Sequence, residues 1–129
     1  MTTTHSESEK MPPLTPAVFH VLLALVDGER HGYAIMQEVT ESTNGRIKMG
    51  PGTLYGTIKR LLESQMIEES DERPDPQLDD ERRRYYRLTG VGRRTVKAEA
   101  LRYAAMAELA RRKRLIGKAA AAAGTLSLL

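Results

Sequence analysis

The stretch from residue 50 to residue 60, GPGTLYGTIKR, decides the fold of this chain. Gly50, Gly52 and Gly56 are spaced G-x-G-x-x-x-G, which is close to a nucleotide-binding fingerprint. Such a fingerprint requires a buried strand before it and a βαβ unit around it. The preceding segment RIKM (46–49) is too short and too charged for a buried strand. We therefore interpret the stretch as the start of a helix, with Pro51 at its first position.

Residues 51–64 separate by polarity when they are placed on a helix at about 100° per residue. One side is apolar, with Leu54, Ile58 and Leu61. The opposite side and its flank are predicted to be exposed and to carry Thr53, Tyr55, Gly56, Thr57, Lys59 and Arg60. Hydroxyl and guanidinium groups on a helix suit the major groove of DNA. For this helix taken alone, a solvated amphipathic helix remains the plainer alternative.

The flanking pattern predicts helices before this one and a hairpin after it. It indicates a helix from the N-cap Thr15 to Gly28, a helix over 33–43, a strand over 66–70, a polar loop over 71–81, a strand over 82–88, and a long helix over 90–116 capped by Thr89. The predicted fold is therefore mainly α with a small β-hairpin. This order is that of a winged helix-turn-helix, followed by a long C-terminal helix.

The domain organisation follows from the same reading. We expect a disordered N-terminal arm over 1–13, a DNA-binding domain over 14–89, a dimerisation helix over 90–117 and a flexible tail over 118–129.

Charge is distributed unevenly along the chain. The net charge is +3, but residues 90–129 contain nine basic and two acidic groups, so the excess positive charge lies in the C-terminal third. Four arginines lie on the second predicted strand or at its start: Arg82, Arg83, Arg84 and Arg87. With the neighbouring tyrosines they suit contact with DNA phosphates. Pairing with the acidic loop is the alternative.

The sequence contains no pattern that indicates catalysis, a metal or a cofactor. None of the three histidines has a nucleophile or a paired carboxylate at a catalytic spacing. There is no cysteine, which excludes a disulfide scaffold and fits a cytoplasmic location. We expect neither a signal peptide nor a membrane span.

Three blocks of the sequence resemble the PadR family of bacterial transcriptional regulators: LLALVDGERHGYAIMQEV, GPGTLYGTIKRLLESQMIEE and RRRYYRLTGVGRR. The resemblance covers about residues 17–110, and the single helix after the hairpin is similar to the short-tailed subgroup of that family. It implies a dimeric repressor whose third helix reads a near-palindromic operator in double-stranded DNA. It also implies release of the DNA by a small molecule, phenolic acids in the founding cases.

The resemblance also implies where the contacts would lie. Its DNA-binding positions fall on Thr53, Tyr55, Thr57, Lys59 and Arg60, on His31 and Tyr33 at the start of the second helix, and on Arg82, Arg83, Arg84 and Tyr85 in the hairpin.

An apolar stripe on the long helix, together with the small core inventory of a chain without tryptophan, predicts a homodimer. The predicted interface comprises Val96, Leu101, Ala105, Leu109 and Ile116. Phe19, Tyr103 and Met106 could line a pocket for a small aromatic effector, or could simply pack in the core.

Three features depart from the family pattern. Residues 68–81 contain eight acidic groups and one basic group, so we expect this loop to swing away from DNA. Gly90 and Gly92 fall in the first turn of the long helix, which predicts a loose start. Gln65 stands where a turn glycine is usual.

Two other classes of function remain open at this stage. One is a protein-interaction adaptor that uses a winged scaffold without binding DNA. The other is a cationic amphipathic helix on a membrane, which the many alanines of the long helix disfavour.

Overall fold

The computed structural model describes residues 14–74 and 82–117, without the side chains of 72–74 and 82. Within that part of the chain the helices are α1 (Pro16–Ala24), α2 (Gly32–Ser42), α3 (Pro51–Glu63) and α4 (Gly90–Arg112). The strands are β1 (Arg30–His31), β2 (Ile67–Pro74) and β3 (Arg82–Leu88). The predicted arm (1–13), the tail (118–129) and the far part of the acidic loop (75–81) lie outside the described residues.

The helical framework agrees with the sequence interpretation. The hydroxyl oxygen of Thr15 accepts a hydrogen bond from the backbone N–H of Val18 at 3.2 Å and so caps α1. Asn44 and Gly45 end the turn after α2 in left-handed conformations, with φ of 53° and 77°. The predicted mainly helical fold with a small β-hairpin is confirmed.

The hairpin is longer than predicted, and a third strand joins it. β2 runs on to Pro74, so the expected loop over 71–81 starts later than residue 71. β1 pairs antiparallel with β3, and the strand order is β1-β3-β2. A two-residue strand contains no periodicity that a sequence pattern can reveal, so the sequence shows only a gap between the first two helices.

The core lies between the three short helices, the sheet and the first turns of α4. Its fully buried side chains include Leu22 of α1, Leu25 just after that helix, Ile35 and Val39 of α2, and Leu54 of α3. β3 closes this core with Tyr86 and Leu88. The described part of this unit ends at Glu99, and a second compact unit begins at Ala100 on the same helix.

The expected loose start of α4 is wrong. The Thr89 hydroxyl donates a hydrogen bond to the backbone oxygen of Gln65 at 2.6 Å and accepts one from the N–H of Gly92 at 3.0 Å. A Cβ at Gly92 would overlap the backbone oxygen of Met66. Glycine is therefore required for the close approach of α4 to the α3–β2 turn, rather than marking a loose helix end. In that turn Gln65 adopts φ of 62°, so it takes the conformation that glycine would favour.

Candidate DNA interface

The exposed face of α3 is centred on glycines. Leu54, Ile58 and Leu61 are buried, as the polarity pattern predicts. Thr53, Tyr55, Lys59 and Arg60 are exposed. Gly52 and Gly56, one helical turn apart, lie in the middle of this exposed arc. A Cβ would meet nothing within 4 Å at Gly52, and only the guanidinium of Arg60 at 3.8 Å at Gly56.

The predicted exposure of Thr57 is wrong. Only 2% of this residue is exposed, because it lies on the Leu54–Leu61 side of the helix. Its hydroxyl oxygen accepts a hydrogen bond from the Arg60 guanidinium at 3.3 Å. The centre of the exposed face of α3 is therefore nearer to Gly52 and Gly56 than to Thr53 and Thr57. Thr57 can influence that face only through Arg60.

Tyr55 joins α3 to the start of α2. A Cβ added at Gly32 would overlap the hydroxyl of Tyr55, and its distance to the Cζ atom of the same ring would be 2.7 Å. The ring therefore rests on the bare backbone of Gly32, while 44% of the residue stays exposed. This contact fixes the start of α2 beside the exposed face of α3.

His31 and Tyr85, both predicted to contact DNA, are buried. The Nδ1 atom of His31 accepts a hydrogen bond from the backbone N–H of Ala34 at 3.1 Å, so the imidazole caps α2. The ring of Tyr85 packs edge-on against the imidazole, with 5.3 Å between centroids. These contacts assign both side chains a structural role, holding β3 against the start of α2.

The exposed Tyr33 and the half-buried Arg83 continue that contact toward the surface. The Arg83 guanidinium lies over the Tyr33 ring, 5.9 Å from its centroid, within the range of a cation–π interaction. Arg83 and Arg84 also line a cavity of about 140 Å³ with Gly32, Tyr55 and Tyr86. The structure therefore brings together predicted site residues from α2, α3 and β3. The side chain of Arg82 lies outside the description.

Two arginines of the hairpin are paired with acidic residues of β2. The Nε atom of Arg84 is 3.6 Å from the Oε2 atom of Glu69. The Nε atom of Arg87 donates a hydrogen bond to the Oε2 atom of Glu68 at 2.7 Å, which raises the pKa of Arg87. The alternative given from the sequence was pairing of these arginines with the acidic loop; the partners of Arg84 and Arg87 are instead glutamates of strand β2.

Tyr86 connects this pairing to the cavity. Burial is the largest cause that raises the pKa of Tyr86; the carboxylate of Glu69 and the phenol of Tyr55 raise it further, whereas Arg84 lowers it. Glu69 and Tyr86 belong to this site but were not predicted from the sequence. They meet through the strand register, in which Glu69 lies opposite Tyr86, and the sequence has no local signal for that pairing.

The predicted interface residues on α4 belong to two different units of the chain. Val96 is buried in the core of the first unit, so its assignment to a dimer interface is wrong. In the second unit Leu101 is 61% exposed, Leu109 46% and Ile116 44%, and Ala105 is exposed as well. Of the three predicted pocket residues, Phe19 belongs to the first unit, and Tyr103 and Met106 belong to the second, where both are exposed.

The family assignment comes from comparison with known proteins. The model of the transcriptional regulator PadR-like family matches residues 21–98, which is more than half of the chain. The chain belongs to the PadR-like family. The match spans α2, α3, the hairpin and the first turns of α4, the elements that build the exposed surface described above.

Two curated relatives have no described function. This PadR-like chain is 38% identical over 80 residues to an uncharacterized 37.1 kDa protein in transposon TN4556 of Streptomyces fradiae, a match over 62% of this chain and 21% of that protein. It is 32% identical over 73 residues to an uncharacterized protein X of Lysinibacillus sphaericus, over 57% of this chain and 64% of that one. The chain therefore spans less than two thirds of either relative.

Solved structures share the fold. A Streptococcus transcriptional regulator is 26% identical, with a TM-score of 0.63 over 75% of this chain and 90% of that one. Bacillus subtilis PadR, solved in complex with operator DNA, is 19% identical, with a TM-score of 0.59 over 70% of this chain and 49% of that one.

Among the described residues, no helix is long and apolar enough to cross a membrane.

Proposed function

We propose that this chain is a transcriptional repressor that binds double-stranded DNA with α3 in the major groove. The observation that carries the proposal is the bare centre of the exposed face of α3. Glycine in a helix interior costs about 1 kcal/mol relative to alanine. Within the described part of the chain, the space over Gly52 is empty within 4 Å, and the space over Gly56 is bordered by the Arg60 guanidinium at 3.8 Å. Gly52 is the second residue of α3, so this cost applies to Gly56, and close approach by a large external partner accounts for the glycine there.

The groups around this bare centre have the chemistry of a DNA-contacting surface. Thr53, Lys59 and Arg60 border it on the same helix. Lysine and arginine neutralise phosphates, and arginine recognises guanine edges in the major groove. The Tyr33–Arg83 pair extends the surface to the hairpin, where a guanidinium can reach the phosphate backbone beside the groove. Bacillus subtilis PadR, which has a similar fold, was solved in complex with operator DNA, and this supports DNA as the partner.

In the proposed assembly, two copies pair through the second half of α4. Leu101, Leu109 and Ile116 are large apolar side chains that stay exposed on this helix. A run of exposed apolar side chains is typical of a protein–protein contact. A twofold dimer would present two copies of α3 about 34 Å apart along the DNA, which predicts a near-palindromic operator.

The proposal includes release of the DNA by a small aromatic effector, as the family resemblance implies. Addition of phenolic acids to the protein–DNA complex should lower its fluorescence polarisation if an effector of this class is used. An unchanged signal over the whole phenolic series would exclude that class.

Direct binding measurements test the central proposal. Fluorescence polarisation with the DNA upstream of the protein's own gene should show affinity losses of about tenfold for Lys59→Ala and for Arg60→Ala. Lys97→Ala, an exposed lysine of α4, is the matched control and should bind like the wild type. The wild-type affinity should also fall steeply between about 50 and 200 mM salt. Equal affinities for all variants and a flat salt response would favour a DNA-free adaptor.

A further inference from the structure

The hairpin contains two arginine–glutamate pairs that face opposite sides of the sheet. Glu68 lies opposite Arg87 in the strand register, and Glu69 lies opposite Tyr86. Because neighbouring residues of a strand point to opposite faces, the two glutamates are separated by the sheet. Tyr86 belongs to the buried core, so the Glu69 pair is on the face that packs against the helices.

The Glu69 pair is the one that lies beside the proposed DNA surface. Arg84, the partner of Glu69, lines the same cavity as Tyr55 of α3 and Gly32 of α2. Both members of the pair remain accessible to water, since the side chain of Glu69 is 42% exposed and that of Arg84 is 66% exposed. A solvent-exposed ion pair of this kind is weak and exchanges readily. A competing anion can therefore replace Glu69 as the partner of Arg84 at a small cost in free energy.

The Glu68 pair differs in its surroundings. The carboxylates of Glu68, Glu29 and Asp71 all act on Arg87 electrostatically. Three acidic groups around one guanidinium disfavour the approach of a phosphate. Arg87 is therefore a poor DNA ligand, and the Glu68 pair provides an internal comparison with the same chemistry in a different place.

We infer that Glu69 lowers the DNA affinity of the protein modestly by competing with backbone phosphates for Arg84. This inference rests on the proposed function. A DNA duplex of arbitrary sequence is bound mainly through its phosphates, so each arginine kept from a phosphate weakens that binding and reduces its salt dependence. A site whose other contacts fix a phosphate beside Arg84 can displace Glu69. The carboxylate thereby acts against binding to arbitrary sequence.

Matched charge changes test this role. Binding to a random-sequence duplex is measured by fluorescence polarisation for Glu69→Gln and for Glu68→Gln, which change the net charge equally. Glu69→Gln should bind about fivefold more tightly than Glu68→Gln at low salt, and its log–log salt slope should steepen by about 0.9. Adding Arg84→Gln to Glu69→Gln should abolish the gain. Thermal unfolding of each variant establishes that it is folded.

The results of these measurements distinguish a failure of this inference from a failure of the proposed function. Equal gains for the two glutamine variants, or a gain that survives Arg84→Gln, would be a general charge effect and would overturn the role of Glu69 alone. A wild-type protein that binds neither random nor upstream DNA would overturn the proposed function, and the role of Glu69 with it.

Discussion

The ring of Tyr55 rests on the backbone of Gly32, and this contact joins the helix that we propose to read DNA to the start of the helix before it. The space that a Cβ would need at Gly32 is filled by the outer atoms of the ring. Gly92 has a similar restriction with a different neighbour, because its Cβ would overlap the backbone oxygen of Met66. A partly exposed ring can swing aside, whereas the backbone of a buried turn cannot.

The first prediction compares alanine at these two glycines. Gly32→Ala should push the Tyr55 ring outward and lower the free energy of unfolding by about 1 kcal/mol or less, whereas Gly92→Ala should lower it by about 3 kcal/mol. Urea unfolding measures both. In a Tyr55→Ala background Gly32→Ala should cost nothing further, and a persistent cost there would show that Tyr55 is not the obstacle.

The second prediction separates stability from binding at Gly56. Since the space over this residue is open, Gly56→Ala should raise the free energy of unfolding by about 0.5 to 1 kcal/mol. The added methyl group would stand in the proposed interface, so DNA affinity should fall. Urea unfolding and fluorescence polarisation on the same preparation give the two values. A variant that is both more stable and equally good at binding DNA would contradict the close approach.

The third prediction concerns pH. Burial and the neighbouring Glu69 and Tyr55 raise the pKa of Tyr86 above the ordinary value of about 10. In the unfolded chain this phenol loses its proton first, so its contribution to stability is complete below about pH 10 and decreases as pH rises toward the folded-state pKa. Urea unfolding at a series of pH values should show this decrease, and Tyr86→Phe should reduce it. The same dependence in the phenylalanine variant would assign the effect to other groups.

The fourth prediction tests the proposed dimer. Leu101→Glu combined with Leu109→Glu would place charges on the exposed apolar side chains of α4, and sedimentation should then show monomers. Arg112→Gln combined with Lys113→Gln changes the net charge by the same amount on exposed polar positions and should leave the dimer intact. A dimer that persists in the glutamate variant would place the interface elsewhere.

The sequence predicted elements well where the local pattern and the tertiary environment agree. Apolar spacing identified the buried side of α3, and the Thr15 and Thr89 caps fixed two helix starts. The assignment of Thr57 to the exposed side was wrong because, at about 100° per residue, Thr57 lies only about 60° from Leu54 and about 40° from Leu61 and so borders the apolar side. The assignment of Val96 to the dimer interface was wrong for a related reason. An apolar stripe on a helix does not show whether it packs against the same chain or against a second copy.

The hairpin is the part of the chain where side-chain pairing changed the prediction most. Four arginines close together indicated a cationic strand, but two of them are neutralised by glutamates that precede them by 15 and 19 positions in the chain. Such a contact depends on strand register, which a one-residue slip would reverse. The structural roles of His31 and Tyr85 likewise depend on β1, a strand too short to leave a sequence signal.

By itself, the sequence determined the order of the helices and of the two hairpin strands, the family blocks and the apolar side of α3, because helix caps, turns and hydrophobic periodicity act over a few neighbouring residues. Only the tertiary structure decided which polar side chains are available at the surface. It buried Thr57, His31 and Tyr85, paired Arg84 with Glu69, and left Gly52 and Gly56 bare. Exposure and charge pairing depend on residues distant in the chain, and those distances are set only when the elements pack.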